Sequence, residues 1–390
     1  SCCVIFLSLP FVIWFTIPTM SLLSLNKNVA FIVTRLELAG AEKQLVQIAT
    51  GLQERGWQVS VLSMLPPIAY EQELRKKGIT LATLGMERGS ANPSYLFKAA
   101  SIFRTWKPQI LCTFNYHADV LGRFAGKLAG IPVITSSIRN ENFGGGFRDA
   151  LIKYTNVLAP QMTTNSTLAA KSLIGRGLIA EKNMHVIPNG IKLEPYTFNP
   201  RARDALRSEW GIRDDEFVWL AVGRLEEQKD FKTLLQAFGK LFSGRLLIAG
   251  EGPMLGEFKT DVNNLGLKER VKFLGLRKDV PHVLSAADAF VLSSAWEGLP
   301  NVVMEALAAA KPVVATDVGG VRELVEENKS GFIVPAKSPG ALAAALQKLM
   351  MLTPAQRTEM GRHGFEHVKK TYSLESVTSQ WEQFFLELMS

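Results

Sequence analysis

The 390-residue sequence predicts an α/β protein made of two doubly wound parallel-sheet domains in tandem. Short β-branched runs alternate with amphipathic stretches along most of the chain, the pattern of strands joined by crossover helices. This alternation comes in two series of similar build. The length also exceeds what one ordinary core accommodates, which points to two.

In the first series, residues 29–34, 58–64, 110–114 and 133–136 read as strands. Between the first two, residues 41–55 place Leu45, Ile48, Ala49 and Leu52 on one helical face. Next, His185-Val186-Ile187-Pro188-Asn189-Gly190-Ile191 reads as a strand that ends in Pro-Asn-Gly turn chemistry, with a hinge at 191–199. The second series runs through 216–223, 245–250, 271–275, 289–293 and 313–317. A closing segment, 373–388, carries Val377, Trp381, Phe384, Phe385 and Leu388 at helical spacing. The chain thus divides into an apolar segment at 1–25, domains at 26–193 and 194–372, and a terminal helix at 373–390. Two such domains leave a cleft faced by the carboxyl ends of both sheets, where ligands bind.

A composition of 47% hydrophobic and 21% charged residues excludes disorder. The net charge of +8 is lopsided: residues 1–195 hold 20 Lys and Arg against 11 Asp and Glu, and residues 196–390 hold 24 against 25. The basic half suits an anionic partner such as a phospholipid headgroup, a lipid-linked diphosphate or an acidic glycan; the plain alternative is a merely solvated basic face. Nucleic acid is not expected, because no dense Lys/Arg run with interleaved aromatics occurs. Cys2, Cys3 and Cys112 offer neither metal-ligand spacing nor a disulfide framework, which indicates a reducing compartment. Residues 1–25 carry no charge and contain Phe11-Val12-Ile13-Trp14-Phe15. They read either as a signal anchor, without a basic flank and interrupted by Pro10 and Pro18, or as an extension ahead of a start at Met20. The expected location is cytoplasmic, peripheral at the inner face of the membrane.

Two motifs carry chemistry. In Val222-Gly223-Arg224-Leu225-Glu226-Glu227-Gln228-Lys229-Asp230, a strand ends at Gly223 and is followed by two cations. Arg224 offers a forked contact to phosphate oxygens and Lys229 a point charge, which suits a diphosphate; the alternative is two solvated loop charges. In Trp296-Glu297-Gly298-Leu299-Pro300-Asn301-Val302-Val303-Met304-Glu305, a loop opens an apolar helix whose free amides form an anion site. Glu297 precedes that helix and Glu305 lies two turns into it, placed to accept hydrogen bonds from a hexose and a ribose of one ligand. A helix charge such as Glu305 is ordinarily solvated, yet its neighbours Val302, Val303, Ala306 and Leu307 are apolar and argue that it faces inward.

The Glu297…Glu305 spacing behind the Gly223-Arg224…Lys229 loop resembles the GT-B-fold family of retaining glycosyltransferases known as glycosyl transferases group 1. Ala249-Gly250-Glu251-Gly252-Pro253, Phe273-Leu274-Gly275, Pro312 to Gly320 and Gly331-Phe332-Ile333-Val334-Pro335 match as well, as do Ala39-Gly40-Ala41-Glu42, Arg139-Asn140 and Thr164-Asn165-Ser166 in the first half. The likeness spans roughly residues 27–390. It implies two Rossmann-like domains, an interdomain cleft and a last helix that crosses back to the first domain. It also implies roles. Arg224 and Lys229, at the strand end marked by Gly223, bind the departing diphosphate. Glu305 holds the ribose and Glu297 the transferred sugar. The amides of Gly298, Leu299 and Asn301 contact sugar or phosphate. Gly40 lets the first domain approach the phosphates, and Leu276 and Arg277 meet the base. This chain has Ala39-Gly40 where relatives commonly carry Gly-Gly, and Phe114 where many carry histidine, with His117 nearby as a candidate cleft residue beside the structural alternative.

The donor the resemblance implies is a nucleotide-diphosphate sugar, commonly a UDP-sugar, and the acceptor a glycan or lipid-linked intermediate. No cofactor is expected. The absence of any Asp-x-Asp pair removes the need for a bridging metal. Cleavage of the anomeric bond leaves negative charge on the diphosphate, which fixed cations and helix N-termini stabilise. A nucleotide-sugar epimerase and a non-catalytic sugar-nucleotide-binding scaffold remain as alternatives. A dinucleotide oxidoreductase is disfavoured, because the third glycine of Gly250-Glu251-Gly252-Pro253-Met254-Leu255-Gly256 comes one residue late.

Overall fold

Apolar strands form the centre of each domain because both of their faces are covered by helices. A computed structural model describes residues 26–90, 92–139 and 143–390; segment 1–25 and Asn140 lie outside the described residues. The first domain contains β1 (Asn28–Val33), β2 (Gln58–Ser63), β3 (Thr80–Thr83), β4 (Ile110–Phe114), β5 (Val133–Ile138), β6 (Gln161–Thr164) and β7 (Met184–Val186). They lie in the order β3-β2-β1-β4-β5-β6-β7, all parallel, with Val29 of β1 opposite Val59 on one side and Ile110 on the other. Its helices are α1 (Gly40–Glu54), α2 (Glu71–Lys76), α3 (Ser94–Trp106), α4 (Tyr116–Ala129), α5 (Gly146–Thr155) and α6 (Thr167–Gly175).

The second sheet contains β8 (Val218–Val222), β9 (Arg245–Ala249), β10 (Val271–Gly275), β11 (Ala289–Leu292), β12 (Val313–Thr316) and β13 (Gly331–Val334). These are parallel in the order β10-β9-β8-β11-β12-β13. Around them pack α7 (Pro200–Glu209), α8 (Phe231–Phe238), α9 (Leu255–Asn264), α10 (Val280–Ala286), α11 (Asn301–Ala308), α12 (Val321–Leu324), α13 (Pro339–Met351) and α14 (Pro354–Tyr372). The fold is therefore the two-domain GT-B arrangement that the sequence predicts. The pattern does not mark β3, β6 or β13 as strands: β3 is a half-exposed edge, β6 buries two threonines in place of aliphatic residues, and β13 is a four-residue edge run opened by a glycine.

The last helix, α15 (Leu374–Met389), returns to the first domain. Its Val377, Trp381, Phe384 and Phe385 are buried in one cluster with Phe31 of β1, Leu45 of α1 and Phe114 of β4. Glu382 anchors it through Lys27 at 3.0 Å, Arg55 at 3.1 Å and the Trp57 indole N–H at 3.0 Å. The two interdomain crossings are tied together: Ile191 N–H donates to the Tyr372 carbonyl, and Leu374 N–H donates to that of Ile191, each at 2.8 Å. The hinge thus has two adjacent strands of backbone.

In each sheet the strand order reverses once, between β1 and β4 in the first domain and between β8 and β11 in the second. At such a reversal the flanking loops diverge and leave a crevice at the carboxyl ends of the strands. The loops after β8 and β11 are the two chemical motifs.

Candidate active site

The loop after β8 lies against the loop after β9 because glycines leave room for it. A Cβ at Gly250 would stand 1.9 Å from the Gly223 carbonyl oxygen, and one at Gly252 would stand 2.4 Å from that of Leu225. Gly250, at φ 148°, also has a backbone conformation that suits glycine. Across the crevice, the loop after β11 is pinned in the same way by Gly319 and Gly320 of the loop after β12. Gly320 N–H donates to the Gly298 carbonyl at 2.6 Å, and a Cβ at Gly319 would lie 2.3 Å from that same oxygen. The Gly-rich segments that match the family are thus the walls that hold the two motif loops in place.

These walls bring Lys229 and Glu297 together: Lys229 Nζ lies 2.6 Å from Glu297 Oε1, with side chains 17% and 8% exposed. The Ser294 hydroxyl donates to the same Glu297 oxygen at 2.6 Å, and the Gln228 amide approaches its other oxygen at 3.5 Å. The Lys229 stem packs over Gly223, where a Cβ would meet its Cγ at 3.2 Å. Arg224 is different. Its side chain is 76% exposed and pairs with the carboxylate of Glu226 at 3.3 Å, so its fork is accessible to an anion arriving from solvent.

Helix α11 begins at Asn301, with Pro300 as its N-cap and no side-chain oxygen on the first amides. Opposite it stands the N-terminus of α1, likewise without a side-chain cap, and a Cβ at Gly40 would be 3.7 Å from Asn301 Nδ2. Two uncapped helix N-termini, one from each domain, therefore face one another, and each carries partial positive charge. Gly298 and Leu299 lead into this point, and Leu299 is buried.

Glu305 does face inward, though not toward Glu297. It borders a cavity of about 130 Å³ at the domain junction, with Lys43, Gln44 and Gln47 of α1, Tyr196, Asn301 and Met304. Burial raises its pKa above the ordinary carboxylate value, against the pull of the Lys43 charge and a hydrogen bond from the Tyr196 hydroxyl. The two acids thus have separate surroundings, one paired with lysine and the other at the domain junction.

Leu276 is 65% exposed and its N–H approaches the Glu251 carboxylate at 3.4 Å. The Arg277 guanidinium is committed elsewhere, forked onto Asp279 at 2.8 and 2.6 Å over the Trp210 ring. His117 lies in the first domain, at the start of α4. It lines a cavity of about 380 Å³ with Arg35, Glu42 and Arg88, at the carboxyl ends of β1 to β4. Burial and the Arg148 charge lower its pKa below that of an ordinary imidazole, which keeps it neutral at pH 7 and able to accept a proton.

Sequence reasoning missed a polar chain that joins the domains. Arg139 Nη1 donates to Asn189 Oδ1 at 3.1 Å, and Asn189 Nδ2 donates to Asn301 Oδ1 at 3.0 Å. Gln44 clasps both backbone groups of Gly190, at 2.9 and 2.7 Å. Arg139 itself lies over the rings of Phe114 and Trp381, and burial lowers its pKa to about 10. The available signals were Arg139-Asn140 and the Pro188-Asn189-Gly190 turn, which their spacing along the chain could not connect.

Residues 202–367 match the family Glycosyl transferases group 1, and residues 38–195 match Glycosyltransferase Family 4. The amylovoran biosynthesis glycosyltransferase AmsK of Erwinia amylovora is 30% identical over 292 residues, which cover 69% of this chain and 69% of that one. The UDP-Gal:alpha-D-GlcNAc-diphosphoundecaprenol alpha-1,3-galactosyltransferase of Escherichia coli is 27% identical over 275 residues, 65% of this chain and 69% of its own. Among solved structures, Anabaena Alr3699/HepE in complex with UDP has the same fold, with a TM-score of 0.81 at 22% identity over 92% of this chain and 100% of that one.

Proposed function

The chain belongs to the glycosyl transferases group 1 family, and on that footing we propose that it transfers a sugar from a UDP-linked donor, with retention, to a glycan or lipid-linked acceptor of a cell-envelope polysaccharide. The observation that carries this reading is the convergence of Lys229, Arg224 and two opposed helix N-termini on one crevice. That arrangement suits a diphosphate bridging the domains. The acceptor class is supported by the names of relatives, one acting on a diphosphoundecaprenol-linked sugar and one in amylovoran biosynthesis.

In this mechanism Arg224 and Lys229 neutralise the departing diphosphate, with no metal required. Glu297 grips the transferred sugar and Glu305 the ribose. The amides of Gly298, Leu299 and Asn301 and the close approach at Gly40 add helix-end charge. With its guanidinium held by Asp279, Arg277 meets the base through its backbone, as does Leu276. The bond from the anomeric carbon to the diphosphate oxygen breaks, and the acceptor oxygen bonds to that carbon on the same face. The acceptor proton passes to the departing diphosphate. Neutral His117 orients the acceptor hydroxyl. The surplus charge of the first half supports a place at an anionic membrane surface on the cytoplasmic side.

The test is a panel of nucleotide sugars scanned for protection against thermal unfolding, followed by acceptor-dependent turnover with and without chelator. A cognate UDP-sugar at a hundred times its Kd adds about 2.7 kcal/mol of stability. Turnover should need an acceptor and survive chelation. Interconversion of donor sugars with no acceptor present and no UDP released would instead establish an epimerase.

A further inference from the structure

Helices α4 and α5 are neighbours on one face of the first sheet, and their outer surfaces are apolar where solvent would favour polar residues. On α4, Phe124 and Leu128 are 43% and 40% exposed. On α5 and the turn that follows, Phe147, Tyr154 and Val157 are 82%, 76% and 79% exposed. Phe124 and Leu128 stand four residues apart. Phe147 and Tyr154 stand seven apart, so each pair lies along one side of its helix. Basic residues border this row: Lys127 beside Leu128, Lys153 beside Tyr154, and Arg104, whose guanidinium donates to the Leu128 carbonyl at 2.7 Å.

Residues 88–180 hold 11 Lys and Arg against 3 Asp and Glu, a surplus of 8 that equals the net charge of the whole chain. Among the described residues of that segment, Asp119 is fully buried, as is Arg123, so the two drop out of the surface together, and the other acid, Asp149, is paired with Arg176 at 2.6 Å. The outer surface of these helices is thus apolar and cationic with almost no exposed negative charge. Helix α4 also begins at the acceptor-side cavity, where His117 lines the pocket and Arg148 of α5 lies over the Tyr116 ring at 5.1 Å.

We propose that the α4–α5 surface is the face by which this protein sits on an anionic lipid bilayer, with Phe147, Tyr154 and Val157 entering the headgroup region and Lys127, Lys153 and Arg104 meeting lipid phosphates. The proposal rests on the membrane location given under the proposed function and locates it on particular residues. Bulky apolar side chains rimmed by lysine and arginine bind such an interface by area and charge together. A second copy of the chain is a poor occupant, because this face would then meet its own positive charge. The orientation puts the acceptor cavity at the edge of the bilayer, where a lipid-linked acceptor presents its sugar.

The experiment is co-sedimentation of the full chain with phosphatidylcholine vesicles, with and without phosphatidylglycerol, over a range of salt. Wild type should pellet with the anionic vesicles only and be released by salt. The pair Phe147→Ser and Tyr154→Ser, and separately the pair Lys127→Glu and Lys153→Glu, should each weaken that binding by about tenfold or more. UDP-induced thermal stabilisation should be unchanged in both variants, which shows that they fold. Undiminished vesicle binding by both pairs would overturn this face and leave the membrane location standing. Absence of wild-type binding to any vesicle would overturn the location and the face together. A lipid-independent dimer that the Phe147→Ser, Tyr154→Ser pair abolishes would overturn the lipid assignment in favour of self-association.

Discussion

Lys229 and Glu297 form an ion pair of 2.6 Å across the crevice, so the cation proposed for the diphosphate and the carboxylate proposed for the sugar hold one another directly. Ser294 shares the same carboxylate oxygen. Such a pair holds both side chains in place, and a diphosphate bound beside Lys229 would compete with Glu297 for its protons.

Lys229→Ala should therefore lower kcat/KM by about a hundredfold or more, the usual loss when one preorganised donor to developing negative charge is removed. Glu297→Gln keeps the shape but loses the charge, and should lower kcat more than donor affinity. Steady-state kinetics with UDP release as readout checks both. Wild-type rates in a joint Arg224→Ala, Lys229→Ala variant would sink the site.

Two glycines should respond in opposite ways. A Cβ at Gly40 meets Asn301 Nδ2 at an ordinary 3.7 Å, whereas one at Gly319 meets backbone oxygens at 2.3 and 2.4 Å from a positive φ of 54°. Gly40→Ala should change stability by less than about 1 kcal/mol while raising the donor KM. Gly319→Ala should lower the melting temperature and disorder the Glu297 loop. Calorimetry alongside kinetics separates the two, and equal melting losses would contradict the geometry.

Trp381 is fully buried against Phe114, Phe384 and Phe385, although it belongs to the last helix of the chain. Trp381→Ala should cost about 3–5 kcal/mol, the range for deleting a buried large aromatic. The loss should fall on the first domain. Hydrogen exchange at β1 and β4 reports it, and unchanged protection there would show that α15 does not support that domain.

Asp119 is buried beside Arg123, and burial pushes its carboxyl up to about 6 against the pull of Arg123 and of the Thr113 and Ser136 hydroxyls. Its folded pKa thus exceeds its unfolded value of 3.8, so the folded chain holds the proton more tightly. The stability this proton contributes is complete below about pH 3.8 and is lost as pH rises to about 6. Asp119→Asn should remove that fall from the melting temperature measured across the window. Parallel pH profiles for the two proteins would count against the assignment.

Much of this molecule was written in local pattern. The central strands are β-branched and buried on both faces, so their runs stand out, and the Arg224…Lys229 and Glu297…Glu305 motifs could be placed at strand ends because the pattern marks where each strand stops. Val377, Trp381 and Phe385 mark α15 as a helix with an apolar face too large to leave in water, while the family resemblance is what implied its return to the first domain. Other features depend on distances that no spacing encodes. Lys43 reaches Glu305 from 262 residues away in the chain, and Asn189 meets Asn301 only because both sheets reverse strand order at the same cleft. Periodicity reports which face of an element is apolar, a property of neighbours along the backbone. Which charge meets which across two domains is set by how those faces pack.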